Sequence, residues 1–257
     1  MSRFSNLEFG DHLEEQSSSS PAIKDARYYL AEADTAFANG RFEEALRAYA
    51  KVLEFEPRCA PAWTGQVRML IELGEFHEAK LWADKALESF PNEAELLAAK
   101  AVALARSGDP KGALVFSDAA VETQGNTPYV WLARGDVLLA RAEKRAEFCF
   151  AKALALAAQD WFIHWLGCRI YYYYRKFSRA LRLAQKALEL DATRACVWLQ
   201  FGRCQLALGL SQGAANSFEH ARELDPLCQP GSADSSDLSA AGLWTRLRGW
   251  CRRAFER

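Results

Sequence analysis

One small residue returns at a nearly fixed interval through most of this chain. Alanine stands at Ala45, Ala79, Ala113, Ala146, Ala180 and Ala214, in steps of 34, 34, 33, 34 and 34 residues. Seven residues after each comes a second small or medium apolar residue, at Val52, Ala86, Ala120, Ala153, Ala187 and Ala221. Six units in register at this period cannot each enclose a core. They read as one helix-pair unit repeated into a solenoid, in which every unit buries its apolar faces against its neighbours. Such an architecture offers a long surface for holding something rather than a single enclosed reaction centre.

Bulk composition narrows the function classes. Half of the 257 residues are hydrophobic and a quarter charged, enough for a continuous core. The net charge of −1 supplies no overall attraction to nucleic acid or to anionic lipid, so no nucleic-acid partner is expected. No run approaches the roughly 20 apolar residues that span a bilayer. The opening MetSerArgPheSerAsnLeuGluPheGly lacks the charged start and apolar stretch of a secretory signal, so a cytoplasmic location is expected. The seven cysteines contain no Cys-x-x-Cys pair, and the nearest two, Cys196 and Cys204, lack a neighbouring histidine. They read as buried apolar thiols in a reducing compartment. His12, His77, His164 and His220 are scattered over the chain, and no phosphate loop or dinucleotide fingerprint occurs. A non-catalytic protein without cofactor or metal is the expectation.

Along the chain, residues 1–24 read as a disordered arm containing SerSerSerSerPro and the acids Glu8, Asp11, Glu14 and Glu15. From Asp25 the pattern becomes helical, with glycines at Gly40, Gly74, Gly108 and Gly209 ending the first helix of four units, where positive φ costs glycine little. Pro57, Pro91 and Pro226 follow second helices. These landmarks resemble the tetratricopeptide repeat family: a large residue at position 4 (Tyr29, Trp63, Leu97, Trp131, His164, Trp198), a small one at 8 (Ala33, Val67, Ala101, Gly135, Cys168, Gly202), and alanine at 20 and 27. Position 24 keeps its aromatic at Tyr49, Phe150 and Phe218 and departs from it at Ala83, Ser117 and Ala184. The resemblance implies an all-α, right-handed superhelical solenoid over residues 25–228, with units 26–59, 60–93, 94–127, 128–160, 161–194 and 195–228. Unit 3 is the weakest match. Unit 4 is one residue short and lacks the turn glycine within AlaArgAlaGluLys at 140–144, which predicts an altered bend.

After unit 6 the period stops. Residues 229–237 read as a linker, and 238–257 as a basic amphipathic helix whose apolar face carries Leu243, Leu247 and Trp250, with five arginines against one acid, Glu256. Capping of unit 6 is its expected role, ahead of self-association into a weak homodimer and of binding to a membrane. A monomer or weak homodimer follows.

In the family, partners are held mainly by first-helix positions 2, 5, 6, 9, 12 and 13. Units 1 to 3 place mixed charges there, including Arg27, Asp34, Arg68, Glu72, Glu95 and Arg106, and do not reproduce the lysine and asparagine set that clamps a chaperone's terminal carboxylate. Units 4 to 6 place Tyr129, Phe162, Trp165, Arg169, Tyr172, Tyr173, Gln200 and Arg203 on the expected concave side, with Asp136 the acid among them. Aromatic rings with arginines are the composition of interaction hot spots. The resemblance therefore implies an interaction scaffold or adaptor that holds a segment of a protein partner, preferably one bearing aromatic or acidic residues. Alternative readings are an adaptor recruited to a membrane by 238–257, or a non-catalytic subunit of a larger enzyme or secretion assembly.

Overall fold

The computed structural model describes residues 24–123, 125–228 and 230. The arm at 1–23, the linker from 231 and the basic C-terminal segment lie outside the described residues, so the cap and the tail's surface preference stay with the sequence reading. Within the described residues the chain is twelve α-helices joined by short turns, with no strand: α1 Ala26–Ala38, α2 Phe42–Phe55, α3 Ala60–Leu73, α4 Phe76–Ser89, α5 Ala94–Arg106, α6 Pro110–Glu122, α7 Pro128–Ala140, α8 Ala146–Leu156, α9 Trp161–Tyr173, α10 Phe177–Leu190, α11 Ala195–Ala207 and α12 Ser211–Leu224. Odd-numbered helices are the first of each pair.

The alanine ladder explains the stacking. Ala45, Ala79, Ala113, Ala180 and Ala214 are wholly excluded from solvent and Ala146 nearly so, as are Val52, Ala86, Ala120, Ala153, Ala187 and Ala221. With only a methyl group at these points, the second helix of each pair can approach its neighbours closely, and larger side chains from adjoining positions fill the remaining grooves. Two of the aromatics kept at position 24 are seated on glycines. Phe150 lies over Gly135, and Phe218 over Gly202, so tightly that a Cβ on either glycine would come within 2.7 and 2.6 Å of the ring. Where position 24 is small, as at Ala83, Ser117 and Ala184, position 8 is Val67, Ala101 or Cys168 instead. In units 4 and 6 the large ring on one helix is thus answered by a glycine on the other, whereas unit 3 pairs two small residues, Ala101 and Ser117.

Helix starts are set locally. The carboxylates of Asp25, Asp109 and Asp160 and the hydroxyl of Thr127 accept from the first free amides of α1, α6, α9 and α7. Every turn inside a pair passes through left-handed backbone: φ is 74° at Gly40, 86° at Gly74, 95° at Gly108, 54° at Ala142, 56° at Arg175 and 79° at Gly209. The bend of unit 4 is thus kept at Ala142 despite the missing glycine. The shortening expected there falls one turn later. The amides of Ala146 and Glu147 donate to Glu143 and Lys144 three residues back, and α8 has 11 residues where the other second helices have 13 or 14.

The array curves strongly enough for its first unit to meet its fifth and sixth. Phe42 stacks on Trp165 at 6.1 Å, Phe37 meets Phe162 edge-on at 5.0 Å, and the Cys196 thiol donates to the Ala38 carbonyl at 3.3 Å. Arg41 and Asp225 pair at 2.8 Å. A solvent-free alanine in this lattice has no space for a carboxylate. Ala180→Glu is expected to cost about 3–5 kcal/mol through an unpaired buried charge. Thermal melting followed by circular dichroism checks this, and the variant should melt far below the parent or fail to fold.

Candidate functional site

The first helices of the pairs supply a polar inner network. Both Nε and Nη2 of Arg169 on α9 donate to one oxygen of Glu72 on α3, at 2.7 and 2.5 Å, across 97 residues of sequence. Arg106 on α5 pairs with Asp136 on α7 at 2.6 Å, and the same carboxylate accepts from the Tyr174 hydroxyl at 2.7 Å. Arg68 lies over the Tyr129 ring at 3.8 Å and reaches Glu95 at 3.9 Å, while Tyr49 donates to Asp34 at 2.7 Å. Of the mixed charges that the sequence places on this face, Arg68 and Glu95, Arg106 and Asp136, and Arg169 and Glu72 thus pair with one another.

Burial sharpens these pairs. It would by itself raise the Glu72 carboxyl, but the charge of Arg169, then that of Arg106, the Arg169 hydrogen bond and the charge of Arg68 outweigh it and hold it below the usual glutamate range. Burial lowers the Arg106 guanidinium, and the charges of Asp136 and Glu72 with the Asp136 hydrogen bond more than restore it, leaving it raised. The Tyr174 hydroxyl is raised by burial, then by the charge and hydrogen bond of Asp136. Burial pushes the Cys196 thiol to about 12 and that of Cys228 to about 11, which keeps both protonated and unreactive.

Beside this network a cavity of about 790 Å³ opens between the ends of α3, α5, α9 and α11. Its wall combines Phe76, Tyr172, Tyr173 and Phe177 with Arg106, Arg169, Arg175 and Arg203, and Glu72 is the acid among its lining residues. A second cavity of about 370 Å³ continues past Glu72, Arg169 and Arg203 to Arg41, Phe42 and Asp225, at the meeting of the first and last described units.

The eight residues singled out from the sequence divide between three environments. Arg169, Tyr172, Tyr173, Gln200 and Arg203 converge on the larger cavity. Tyr173 is 43% exposed there, edge-on to Phe76 at 6.0 Å and beneath Arg106 at 4.3 Å. Gln200 is buried, and Tyr172 packs on Phe177 at 5.3 Å. Phe162 and Trp165 stand instead in the seam against Phe37 and Phe42, with Trp165 only 1% exposed. Tyr129 belongs to a narrow crevice with Arg68 and Asp136. Sequence reasoning did not single out Phe76, Phe177 or Arg175, which come from second helices and a turn rather than from first-helix positions. Arg175 did carry a signal: it stands where four other units have the turn glycine. Among the described residues no group of three or more His, Cys, Asp or Glu side chains is placed to hold a metal ion, and no helix is long and apolar enough to cross a membrane.

The Glu72 contribution has a definite sign. A carboxyl held below its unfolded value of about 4.3 stabilises the fold fully above that pH and loses the contribution as pH falls through its folded value. Glu72→Gln is expected to cost on the order of 3 kcal/mol at pH 7, because Arg169 keeps its charge without a counterion. The loss of stability between pH 5 and 3 should be smaller in the variant than in the parent, and urea melts across that range measure it.

A tetratricopeptide-repeat family profile matches residues 36–103. No curated protein matches the sequence. Among solved structures, TTC0263, a thermophilic TPR protein in Thermus thermophilus, is similar at 22% identity and TM-score 0.55, over 70% of this chain and 99% of that one. A tetratricopeptide repeat protein from Parabacteroides merdae is similar at 18% identity and TM-score 0.55, over 86% of each chain. The human IFIT1 dimer with PPP-AAAA is similar at 21% identity and TM-score 0.52, over 90% of this chain and 59% of that one. At these identities the structural likeness speaks for the fold, and with the sequence match over 36–103 and the same helix pair recurring through all twelve described helices, this chain carries tetratricopeptide repeats.

Proposed function

We propose that the chain is a non-catalytic interaction scaffold that holds a segment of a protein partner on its inner face, at the cavity between α3, α5, α9 and α11. The observation that carries this reading is the convergence of four arginines and four aromatic rings, from units 2, 3, 5 and 6, on one open cavity. Rings that are packed on one side and exposed on the other, beside guanidinium groups, are the side chains that dominate binding energy in protein interfaces. Most of the self-closing contacts use Phe37, Phe42, Phe162 and Trp165, which leaves Tyr173 and its neighbours as the accessible part. The segment that fits is extended, thin enough to enter a cavity of this size, and carries carboxylates next to an aromatic or aliphatic side chain. A cytoplasmic adaptor is the role such a surface serves.

Photo-cross-linking tests the placement. A benzophenone residue at Tyr173 should capture the partner in extracts, with cross-links mapping to one acidic and aromatic segment. The same residue at the exposed Phe148 of α8, which does not line this cavity, should not. Tyr173→Ala should weaken partner binding about tenfold, near the 1–2 kcal/mol typical of a hot-spot ring, with little change in the melt. Capture that is equal at both positions moves the site to another face. Displacement of the partner by PPP-AAAA, the molecule bound in the human IFIT1 structure, would instead point to a nucleic-acid ligand.

A further inference from the structure

The six turns inside the helix pairs all require left-handed backbone, and five are made by glycine or alanine. The exception is Arg175, with φ at 56°. A long side chain in this region crowds its own carbonyl, and such residues persist mainly where the site gains something from them. Space does not force glycine at these turns: at Gly74, which also lines the larger cavity, and at Gly108 and Gly209, a Cβ would meet nothing within 4 Å. What distinguishes Arg175 is its side chain. It is exposed, it lines the 790 Å³ cavity, and no described residue pairs with its guanidinium. Arg106 and Arg169 in the same wall are already neutralised by Asp136 and Glu72.

We propose that Arg175 is a specificity-determining residue of this cavity, receiving a carboxylate of an acidic partner segment, and that the strained turn is retained for that contact. The inference rests on the scaffold reading above and adds the residue that selects for negative charge. The turn between two helices fixes where the arginine's backbone stands at the cavity wall, and its planar fork can take a carboxylate through two hydrogen bonds. Tyr172 and Phe177 flank it in the wall and supply the apolar neighbour for an aromatic residue beside the carboxylate.

The test uses the full chain, as parent, Arg175→Lys and Arg175→Gly. Two sets of end-blocked hexapeptides serve as probes, one randomised over Asp, Glu, Phe and Tyr and one with Asn and Gln replacing the acids. The parent should retain the acidic set selectively. Arg175→Gly should bind it about tenfold more weakly, the loss expected for one charge-assisted contact, while melting about 2–4 °C higher because the turn is relieved. Arg175→Lys should fall between the two in binding and show no rise in melting temperature. Undiminished binding by Arg175→Gly overturns the role of Arg175 and leaves the scaffold reading standing. A glycine variant that melts no higher than the parent overturns the claim of a retained strain. A parent that holds both peptide sets equally defeats the acidic-segment reading itself, and the inference with it.

Discussion

Close approach of helices at the buried alanines sets everything else in this structure. A methyl group at the solvent-free Ala79 or Ala180 lets one helix approach its neighbours closely, and six such contacts in succession fix a small rotation between units. Because the small residues recur without a gap, the rotation accumulates in one sense. The first unit is carried round until Phe37 and Phe42 meet Phe162 and Trp165. Local packing thus produces a contact between helices more than a hundred residues apart.

That contact changes what the inner face can do. An open groove of mixed charge would be a long binding surface. Here the charges are paired across it, Glu72 to Arg169 and Arg106 to Asp136, with Arg68 set over Tyr129. Breaking one partner of such a pair costs more than the intact pair contributes, since the charge left behind stays desolvated. The network therefore acts mainly to hold one curvature. Binding capacity is concentrated in the cavity that remains, where Tyr173 and Arg175 are exposed.

The repeat was legible because its signal is local and redundant: alanine at fixed offsets, glycine where the turn needs positive φ, and bulk between them. Some pairs are complementary as well, with Phe150 over Gly135 and Val67 matched by a small Ala83. The first-helix arithmetic placed Arg169, Tyr172, Tyr173, Gln200 and Arg203 on one face, and the structure brings these five to one cavity. It could not separate Phe162 and Trp165 from them, because their partners, Phe37 and Phe42, come from a unit four repeats away. Superhelical curvature depends on sub-ångström differences in packing summed over many contacts, and no single residue encodes it. Arg175 was missed for a simpler reason. It lies in a turn, outside the helix positions from which partner contacts were sought, although its departure from glycine is plain in the sequence.

Self-closure underlies both the seam and the cavity, and the Arg41–Asp225 pair reports on it directly. The two side chains meet at 2.8 Å although they belong to the first and last described units. In a double-mutant cycle of Arg41→Ala and Asp225→Ala, urea melts should show losses of stability that are non-additive by about 0.5–1 kcal/mol, because either change alone already breaks the pair. An open array would keep the two residues apart, the losses would then add, and that result would contradict the closed curvature on which the cavity depends.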